Sequence, residues 1–236
     1  DDGLGSDQAA GDGVYSGHFI PSATGTFTLT FSNGDVVSVQ VLENYAVAPA
    51  PFNYRTITGT NLNFSDDSSG GIFPPFPVLF GGGSFNTVFV SSNGNVNFST
   101  PFIAYVNDSI PTAQIFNLVA PFWDDLYSIP GTNQNVFWDV IGTAPNRELV
   151  IEWRDVLNFS CRYDSSTTVK FQVVFFEGSS DILFNYADIF FGGGCPFADQ
   201  AGSATVAVQM TLNSGSQYSF NTPSLNNNTA LLWTLA

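Results

Sequence analysis

The chain has 236 residues, of which 44% are hydrophobic and only 11% charged, and 20 acidic against five basic residues give it a formal net charge of −15. A surface of this charge repels nucleic acid and anionic membranes, so we expect neither as a partner. The sequence contains no apolar run of the roughly 18 residues that a membrane-spanning helix needs. We therefore expect no membrane insertion.

The polar residues indicate a secreted protein. Lys170 is the single lysine, and Ser, Thr, Asn and Gly supply most of the polar surface, a composition common in extracellular and cell-surface proteins. The chain begins at Asp1 rather than at a methionine, which suggests that a signal peptide has been removed. The predicted location is outside the cell or at its surface.

The N-terminal part is predicted to be an arm followed by a β-hairpin. Residues 1–22 are acidic and rich in small side chains, which is typical of a flexible or partner-ordered arm. Apolar and polar residues then alternate over 24–44, and a three-residue loop ending in a left-handed Gly34 pairs Leu29 with Val37. This register places the apolar side chains on one face. They form the candidate assembly surface, which consists of Phe27, Leu29, Phe31, Val37, Val39 and Val41.

The segment YAVAPAP, residues 45–51, is predicted to be a linker, because its Ala-Pro steps favour extended backbone and resist helix. We place a domain boundary near residue 50, which gives an arm and hairpin over 1–50 and a β-sandwich domain over 51–236. A hairpin of about 20 residues is marginally stable alone. It must therefore add to a sheet, either in its own chain or in a neighbouring subunit, and the sequence leaves both open.

A second hairpin repeats the loop of the first. The loop Ser92-Asn93-Gly94 pairs Val90 with Val96 and leaves Phe89 and Asn97 on the opposite, outward face. The predicted hairpin therefore turns one face inward and exposes the other.

The remaining sequence is β throughout. Alternation of period two predicts six further strands, and no window shows a convincing helical period. Gly and Pro are dense over residues 64–85, where we expect a long irregular loop. The fold class is therefore all-β, a jelly-roll-like β-sandwich with an additional N-terminal β-hairpin. The predicted strands are 136–141, 149–156, 169–177, 182–189, 204–212 and 230–235.

The stretch LVAPFWDDL indicates a buried strand that ends at a pair of carboxylates. Pro121 cannot donate to a sheet ladder and marks an edge or a bend. Asp124 and Asp125 are costly to bury unless they are paired or bind a cation. We favour a structural pair with Arg147 or Arg154, and a calcium site completed by nearby carbonyl groups is the alternative.

The sequence lacks the residue patterns of common catalytic sites. The one histidine, His18, lies in the arm without the context of a catalytic triad, and zinc-binding clusters and phosphate-binding glycine loops are missing from the sequence. Asp124 and Asp125 are adjacent, so on a strand they would point to opposite faces and not flank one glycosidic bond. We expect no enzymatic activity and no required cofactor, with calcium as an optional one.

Two kinds of covalent modification are expected. Cys161 and Cys195 lie in loop-like surroundings, which favours one disulfide in an extracellular setting over two buried thiols in a cytosolic one. The chain also has five Asn-X-Ser/Thr sequences, the acceptors of N-linked glycans. We expect glycans at two or more of them, and the predicted register turns Asn97 outward. The candidate sites are Asn63, Asn97, Asn107, Asn158 and Asn227.

Three phrases occur in order: LVAPFWDDL, APNRELVIEWRDV and VKFQVVFFEGSSDILFNY. Together they resemble a family of secreted bacterial and archaeal β-domains and, more distantly, the extracellular NIDO domain of nidogen-type matrix proteins. The likeness covers roughly residues 52–236 and is most specific in the Ala-Pro-Phe-Trp-Asp-Asp step and the later Pro-Asn-Arg turn. The resemblance implies extracellular structure or adhesion rather than chemistry, and it carries over no ligand site.

Three functions compete on this basis. We prefer the structural subunit of an extracellular filament or surface layer, a homopolymer of glycan-bearing copies in which segment 24–44 adds to a neighbour's sheet. The alternative is a carbohydrate- or matrix-binding adhesive module, in which exposed aromatic residues such as Tyr105, Tyr127 or Tyr163 stack on sugars. A glycoside hydrolase that uses Asp124 and Asp125 is the third.

Overall fold

The computed structural model describes residues 9–13, 24–31, 33–41 and 43–236. It contains two compact units, Asp1–Glu43 and Asn44–Ala236, and His18 lies outside the described residues. Two 3₁₀ helices, Phe159–Cys161 and Asp199–Ala201, occur among the strands. The described strands are β1 (Gly25–Thr30), β2 (Val36–Val41), β3 (Tyr45–Ala50), β4 (Thr60–Asn61), β5 (Ser69–Ile72), β6 (Val78–Phe80), β7 (Gly83–Phe85), β8 (Val88–Ser91), β9 (Val96–Asn97), β10 (Leu118–Trp123), β11 (Leu126–Tyr127), β12 (Asn135–Ile141), β13 (Glu148–Asn158), β14 (Thr168–Phe176), β15 (Ile182–Asp188), β16 (Thr205–Thr211), β17 (Ser214–Phe220) and β18 (Thr229–Leu235).

The first unit contains the predicted β-hairpin. β1 and β2 pair antiparallel in the predicted register, with Leu29 opposite Val37. The amide of Phe31 donates to the carbonyl of Asp35 over 2.8 Å, and Gly34 has a φ of 92°. The loop length and the left-handed glycine are therefore confirmed.

The two faces of this hairpin differ in polarity. Leu29 and Val39 are half-buried, whereas Thr26 and Thr28 are exposed. Near the loop, Phe31 and Val37 of the apolar face are 45% and 46% exposed. The hairpin is thus an amphipathic two-stranded sheet whose apolar face is partly exposed.

The second unit is an antiparallel β-sandwich. One sheet has six strands in the order β17-β16-β10-β9-β8-β5, and the other has β3-β18-β15-β14-β13-β12-β4 with β11 added beside β13. A separate two-stranded sheet is formed by β6 and β7. The prediction of an all-β sandwich is confirmed. The six strands predicted from alternation begin and end within two residues of β12, β13, β14, β15, β16 and β18.

The sandwich core consists of apolar side chains from the inner faces of both sheets. Trp153 stacks on Phe171 with ring centroids 5.0 Å apart, and Phe171 stacks on Phe122 of the opposite sheet at 5.3 Å. The indole nitrogen of Trp153 donates to the carbonyl of Ser91 across 2.9 Å. Aromatic contacts of this kind add about 0.5–1.5 kcal/mol each beyond the area that they bury. The two sheets are therefore joined by both stacking and hydrogen bonding.

The linker predicted over residues 45–51 is largely a strand, which corrects the sequence interpretation. β3 pairs along its whole length with the C-terminal strand β18. Asn44 and Ala236 exchange both backbone hydrogen bonds, so the even-numbered residues of β3 bond to β18 and the odd-numbered ones face away. Pro49 thus stands where no N–H is needed, and Ala-Pro steps that favour extended backbone fit an edge strand as well as a linker.

Residues 51–59 then cross the outer face of the eight-stranded sheet. Ile57 packs in a second apolar cluster with Phe137, Val150, Val174 and Leu183. These four side chains belong to a cluster separate from the core between the sheets, so their burial depends on this crossing segment.

The long irregular loop predicted over 64–85 is also corrected, because the segment contains β5, β6 and β7. Phe80 stacks between Tyr45 at 5.3 Å and Phe98 at 4.7 Å, so the segment adds side chains to the core. The longest connection lies instead between β9 and β10. It covers the outer face of the six-stranded sheet, where Phe102 packs edge-on against Trp123 at 5.3 Å.

Candidate functional site

β10 is buried throughout and leads to the predicted carboxylate pair. Its pairing with β16 shifts register between Ala120 and Trp123, so the bend predicted at Pro121 is present as a β-bulge. The alternative prediction of a sheet edge is wrong, because β10 lies between β9 and β16. The hydroxyl of Tyr186 donates to the carbonyl of Pro121 over 2.9 Å, which holds this bulge against the opposite sheet.

Asp124 is buried and accepts hydrogen bonds from neighbouring side chains. It is 6% exposed, and its Oδ2 accepts from Ser203 Oγ at 2.6 Å and from Asn158 Nδ2 at 3.4 Å. Burial raises the pKa of this carboxyl group, while the Ser203 hydrogen bond acts in the opposite direction. The predicted pairing with an arginine is wrong, since Arg147 pairs with Glu177 and Arg154 with Glu152.

Asp125 faces a different group of residues. Its carboxylate lies with those of Asp66 and Asp67, and one oxygen from each falls within 4.8 Å of the others. Burial, and then repulsion by Asp66 and Asp67, raises the pKa of Asp125 to about 6. Asp66 Oδ1 is buried without a hydrogen-bond donor. Three carboxylates are the kind of ligand that Ca²⁺ takes, so the calcium prediction stays a prediction, and of the two residues proposed for it only Asp125 lies in this cluster.

Sequence reasoning did not identify Asp66 and Asp67 as members of this group. Asp67 is held in the left-handed region at φ 46°, and its Oδ1 accepts from Asn93 Nδ2 at 2.8 Å. The adjacent acidic pair between two strands was a visible signal, but nothing in the local pattern places it beside Asp125.

A polar groove of about 330 Å³ opens on the outer face of the eight-stranded sheet. Glu152 is 2% exposed at its base and is bonded by Tyr54 Oη at 2.9 Å and Arg154 at 2.6 Å. Lys170 lies 3.7 Å from the same carboxylate and is placed at a register shift in β14. Glu152 therefore pairs with Arg154 of its own strand and with Lys170 of the next one, and Tyr54 adds a hydrogen bond. Thr56 and Ile57 complete the lining.

The predicted disulfide between Cys161 and Cys195 is present, with the Cα atoms 6.1 Å apart. It joins the 3₁₀ helix after β13 to the connection after β15. Both half-cystines pack with the main core, so the bridge fastens two connections to the sandwich.

The five predicted glycosylation sites differ in accessibility. Asn97 is 1% and Asn158 2% exposed, and the side-chain nitrogen of half-buried Asn107 donates to three acceptors. Asn63 and Asn227 are exposed. The register predicted for Asn97 is confirmed by its pairing with Phe89. The prediction that Asn97 is exposed is wrong, because the connection between β9 and β10 covers this face. The carbonyl of Phe116 in that connection accepts from Asn97 Nδ2 at 2.6 Å.

The aromatic residues proposed to stack on sugars are also unequal. Tyr163 is 88% and Tyr105 51% exposed, whereas Tyr127 is half-buried and packs edge-on against Phe159 at 6.1 Å. Two of the three are thus open to a ligand.

Comparison with known proteins shows the family. A family described as NIDO related matches residues 44–234. The chain belongs to the NIDO-related family. The match begins at the first residue of the sandwich unit, so β3 is part of the family domain and the hairpin is outside it. The resemblance drawn from the three phrases is confirmed, with a start eight residues earlier than predicted.

The curated relatives of this NIDO-related chain include alpha-tectorin from human and from mouse. Each is 28% identical over 120 residues, which is 49% of this chain and 5% of the relative. The match thus spans about one-twentieth of the length of those proteins. No solved structure matches the chain significantly. Of the helices in the described residues, none has the length and apolarity to cross a membrane.

Proposed function

We propose that this NIDO-related chain is a structural subunit of an extracellular filament or surface assembly, and that its copies join by β-strand addition. Family membership and the likeness to alpha-tectorin support an extracellular structural or adhesive module. The observation that carries the finer proposal is the hairpin. It belongs to the compact unit Asp1–Glu43 and lies outside the family domain.

The physical reason for addition in trans is the incomplete burial of the hairpin. A two-stranded sheet is marginally stable at best in water, and the apolar face of this one exposes 45% of Phe31 and 46% of Val37. Docking on the sheet of another copy would bury these side chains and satisfy backbone groups along one strand. Each Å² of apolar surface removed from water contributes about 25 cal/mol, so burial of these two side chains favours docking.

The test is removal of residues 1–43 from the full chain. Asn44 is kept because it exchanges two backbone bonds with Ala236. We expect the truncated chain to keep its β-sheet circular dichroism and its disulfide and to remain as single particles in electron micrographs, while the full chain forms fibres. Fibres of unchanged form from the truncated chain would refute strand addition by the hairpin.

A second candidate function is a carbohydrate- or matrix-binding adhesive module, and the groove beside Glu152 favours it. Tyr54 and Lys170 line the groove with an aromatic ring and a cation, and Lys170 Nζ lies 5.7 Å from the ring centroid. Such a groove fits an acidic sugar. The test is a glycan array probed with the wild-type chain and with Lys170→Ala. Binding lost in Lys170→Ala would support this function, and an array without wild-type binding would count against it.

Covalent glycans belong to the same proposal. Of the five candidate asparagines, Asn63 and Asn227 are the ones with exposed side chains. We expect intact-mass spectra of the protein from its native source to show glycans that disappear in Asn63→Gln and Asn227→Gln. A glycan found on Asn97 or Asn158 would contradict the accessibility argument.

A further inference from the structure

We infer that the outer edge of β5 is the acceptor to which the hairpin of a second copy adds. This inference rests on the proposed function and names the surface that it requires. The argument compares the free strand edges of the described sandwich unit, since strand addition needs an edge with available backbone groups and without a blocking device.

Two edges at one side of the sandwich are blocked. β3 carries Pro49, whose missing N–H falls on the outer edge because the even-numbered residues bond to β18. β17 has two register shifts against β16, and bulges turn an edge away from pairing. The two strands are also tied to each other, since Asn44 Nδ2 donates to the carbonyl of Gly215 at 3.0 Å and Ser216 Oγ donates to that of Tyr45.

The opposite side offers β4 and β5. β4 has only two residues, and the separate pair of β6 and β7 has three residues in each strand. β5, Ser69–Ile72, extends the six-stranded sheet and contains neither proline, bulge nor charged residue. Of the strand edges in the described part of the chain, this one has the fewest obstacles to pairing.

The backbone geometry shows which groups of β5 are available. The amide of Ser92 donates to the carbonyl of Ser68 over 2.8 Å, so even-numbered residues bond to β8 and Ser69 and Gly71 face outward. Gly71 is exposed. Directly after the strand, Phe73 is 71% exposed and gives an apolar contact for an incoming hairpin.

The hairpin offers matching groups. The bond between Phe31 and Asp35 puts odd-numbered residues in bonded pairs, so the backbone of Thr28 in β1 and of Ser38 in β2 faces outward. Neither β1 nor β2 contains a charged residue, and nor does β5. Two copies with a net charge of −15 repel each other, so uncharged segments are where they can approach most closely.

The test uses single-cysteine variants of the full chain, mixed in pairs and treated with a short bifunctional maleimide that tolerates a slip of register. Thr28→Cys or Ser38→Cys is mixed with Gly71→Cys, where a side chain meets only ordinary contacts with Phe89 and Thr87. We expect covalent dimers in at least one mixture and none in any variant alone. Ala48→Cys on the proline-bearing edge of β3 is the matched control and should give no dimer.

A second variant tests the edge without cross-linking. Gly71→Pro removes an outward amide that the β5–β8 ladder does not use, so we expect an unchanged melting temperature and a loss of sedimentable fibres. Normal fibres from Gly71→Pro, with no dimers in either mixture, would overturn β5 as the acceptor. If removal of residues 1–43 still abolished assembly, strand addition itself would stand, whereas fibres from the truncated chain would remove both proposals.

Discussion

At the scale of single residues, polar side chains hold loops against the sheets by hydrogen bonds to the loop backbone. Asn97 Nδ2 donates to the carbonyl of Phe116, and its Oδ1 accepts from the amides of Ser99 and Thr100 at 2.7 and 2.8 Å. These residues lie in the connection that covers the six-stranded sheet. One buried asparagine therefore holds both ends of a long non-repetitive segment, which explains why an apparent glycan acceptor is inaccessible.

Replacement of Asn97 tests this role. Asn97→Ala removes hydrogen bonds to two amides and a carbonyl, and one such bond contributes about 0.5–1.5 kcal/mol. We expect urea unfolding to show a loss of stability of at least about 1 kcal/mol. The exposed Asn213→Ala serves as the control and should change the free energy of unfolding little. Equal losses of stability in the two variants would show that the hydrogen bonds of Asn97 do not stabilise this connection.

Asp125 makes the free energy of unfolding depend on pH. Its pKa is raised from 3.8 to about 6 in the folded chain, so the folded state binds this proton more tightly than the unfolded state. Asp125 therefore makes the free energy of unfolding fall as pH rises from about 4 to about 6. We expect Asp125→Asn to reduce this slope when chemical unfolding is measured across that range, while the slope from buried Asp124 remains. Parallel profiles for the two proteins would contradict the assignment.

At the scale of elements, the alternating strands could be predicted from the sequence, whereas the segments that cover the outer faces of the sheets could not. Both hairpin registers follow from a three-residue loop closed by glycine, and the alternating strands follow from their apolar faces. β17 was missed because its Ser, Gly and Gln residues do not alternate in hydrophobicity. The connection from 98 to 117 and the crossing segment 51–59 could not be placed, because what they bury belongs to distant strands.

The two loop glycines make a matched experiment. Gly34 and Gly94 both have positive φ, at 92° and 69°. A methyl group at Gly94 would overlap the carbonyl of Phe122, whereas no atom lies within 4 Å of one at Gly34. We expect Gly94→Ala to lower the melting temperature of the sandwich unit steeply and Gly34→Ala to leave that transition in place. Similar melting curves for both variants would show that the close approach at Gly94 is unimportant.

At the scale of the whole molecule, the family domain and the hairpin differ in how completely they bury their apolar side chains. The family match from 44 to 234 has its own core, disulfide and edge protection on β3 and β17. The hairpin is an addition with apolar side chains left open to solvent. Sequence alone predicted the sandwich, the disulfide and the amphipathic hairpin, because each has a local pattern. The acceptor edge could not be predicted, since it depends on which strands end up outermost.

Hydrogen exchange of the backbone amides, followed by mass spectrometry in single chains and in assembled material, tests strand addition most directly. We predict that amides within 24–41 and 69–73 become protected on assembly, because outward-facing N–H groups of both segments gain partners in another copy. The rest of the sandwich should exchange alike in the two states. Assembled fibres in which residues 24–41 exchange as fast as in the single chain would contradict the account.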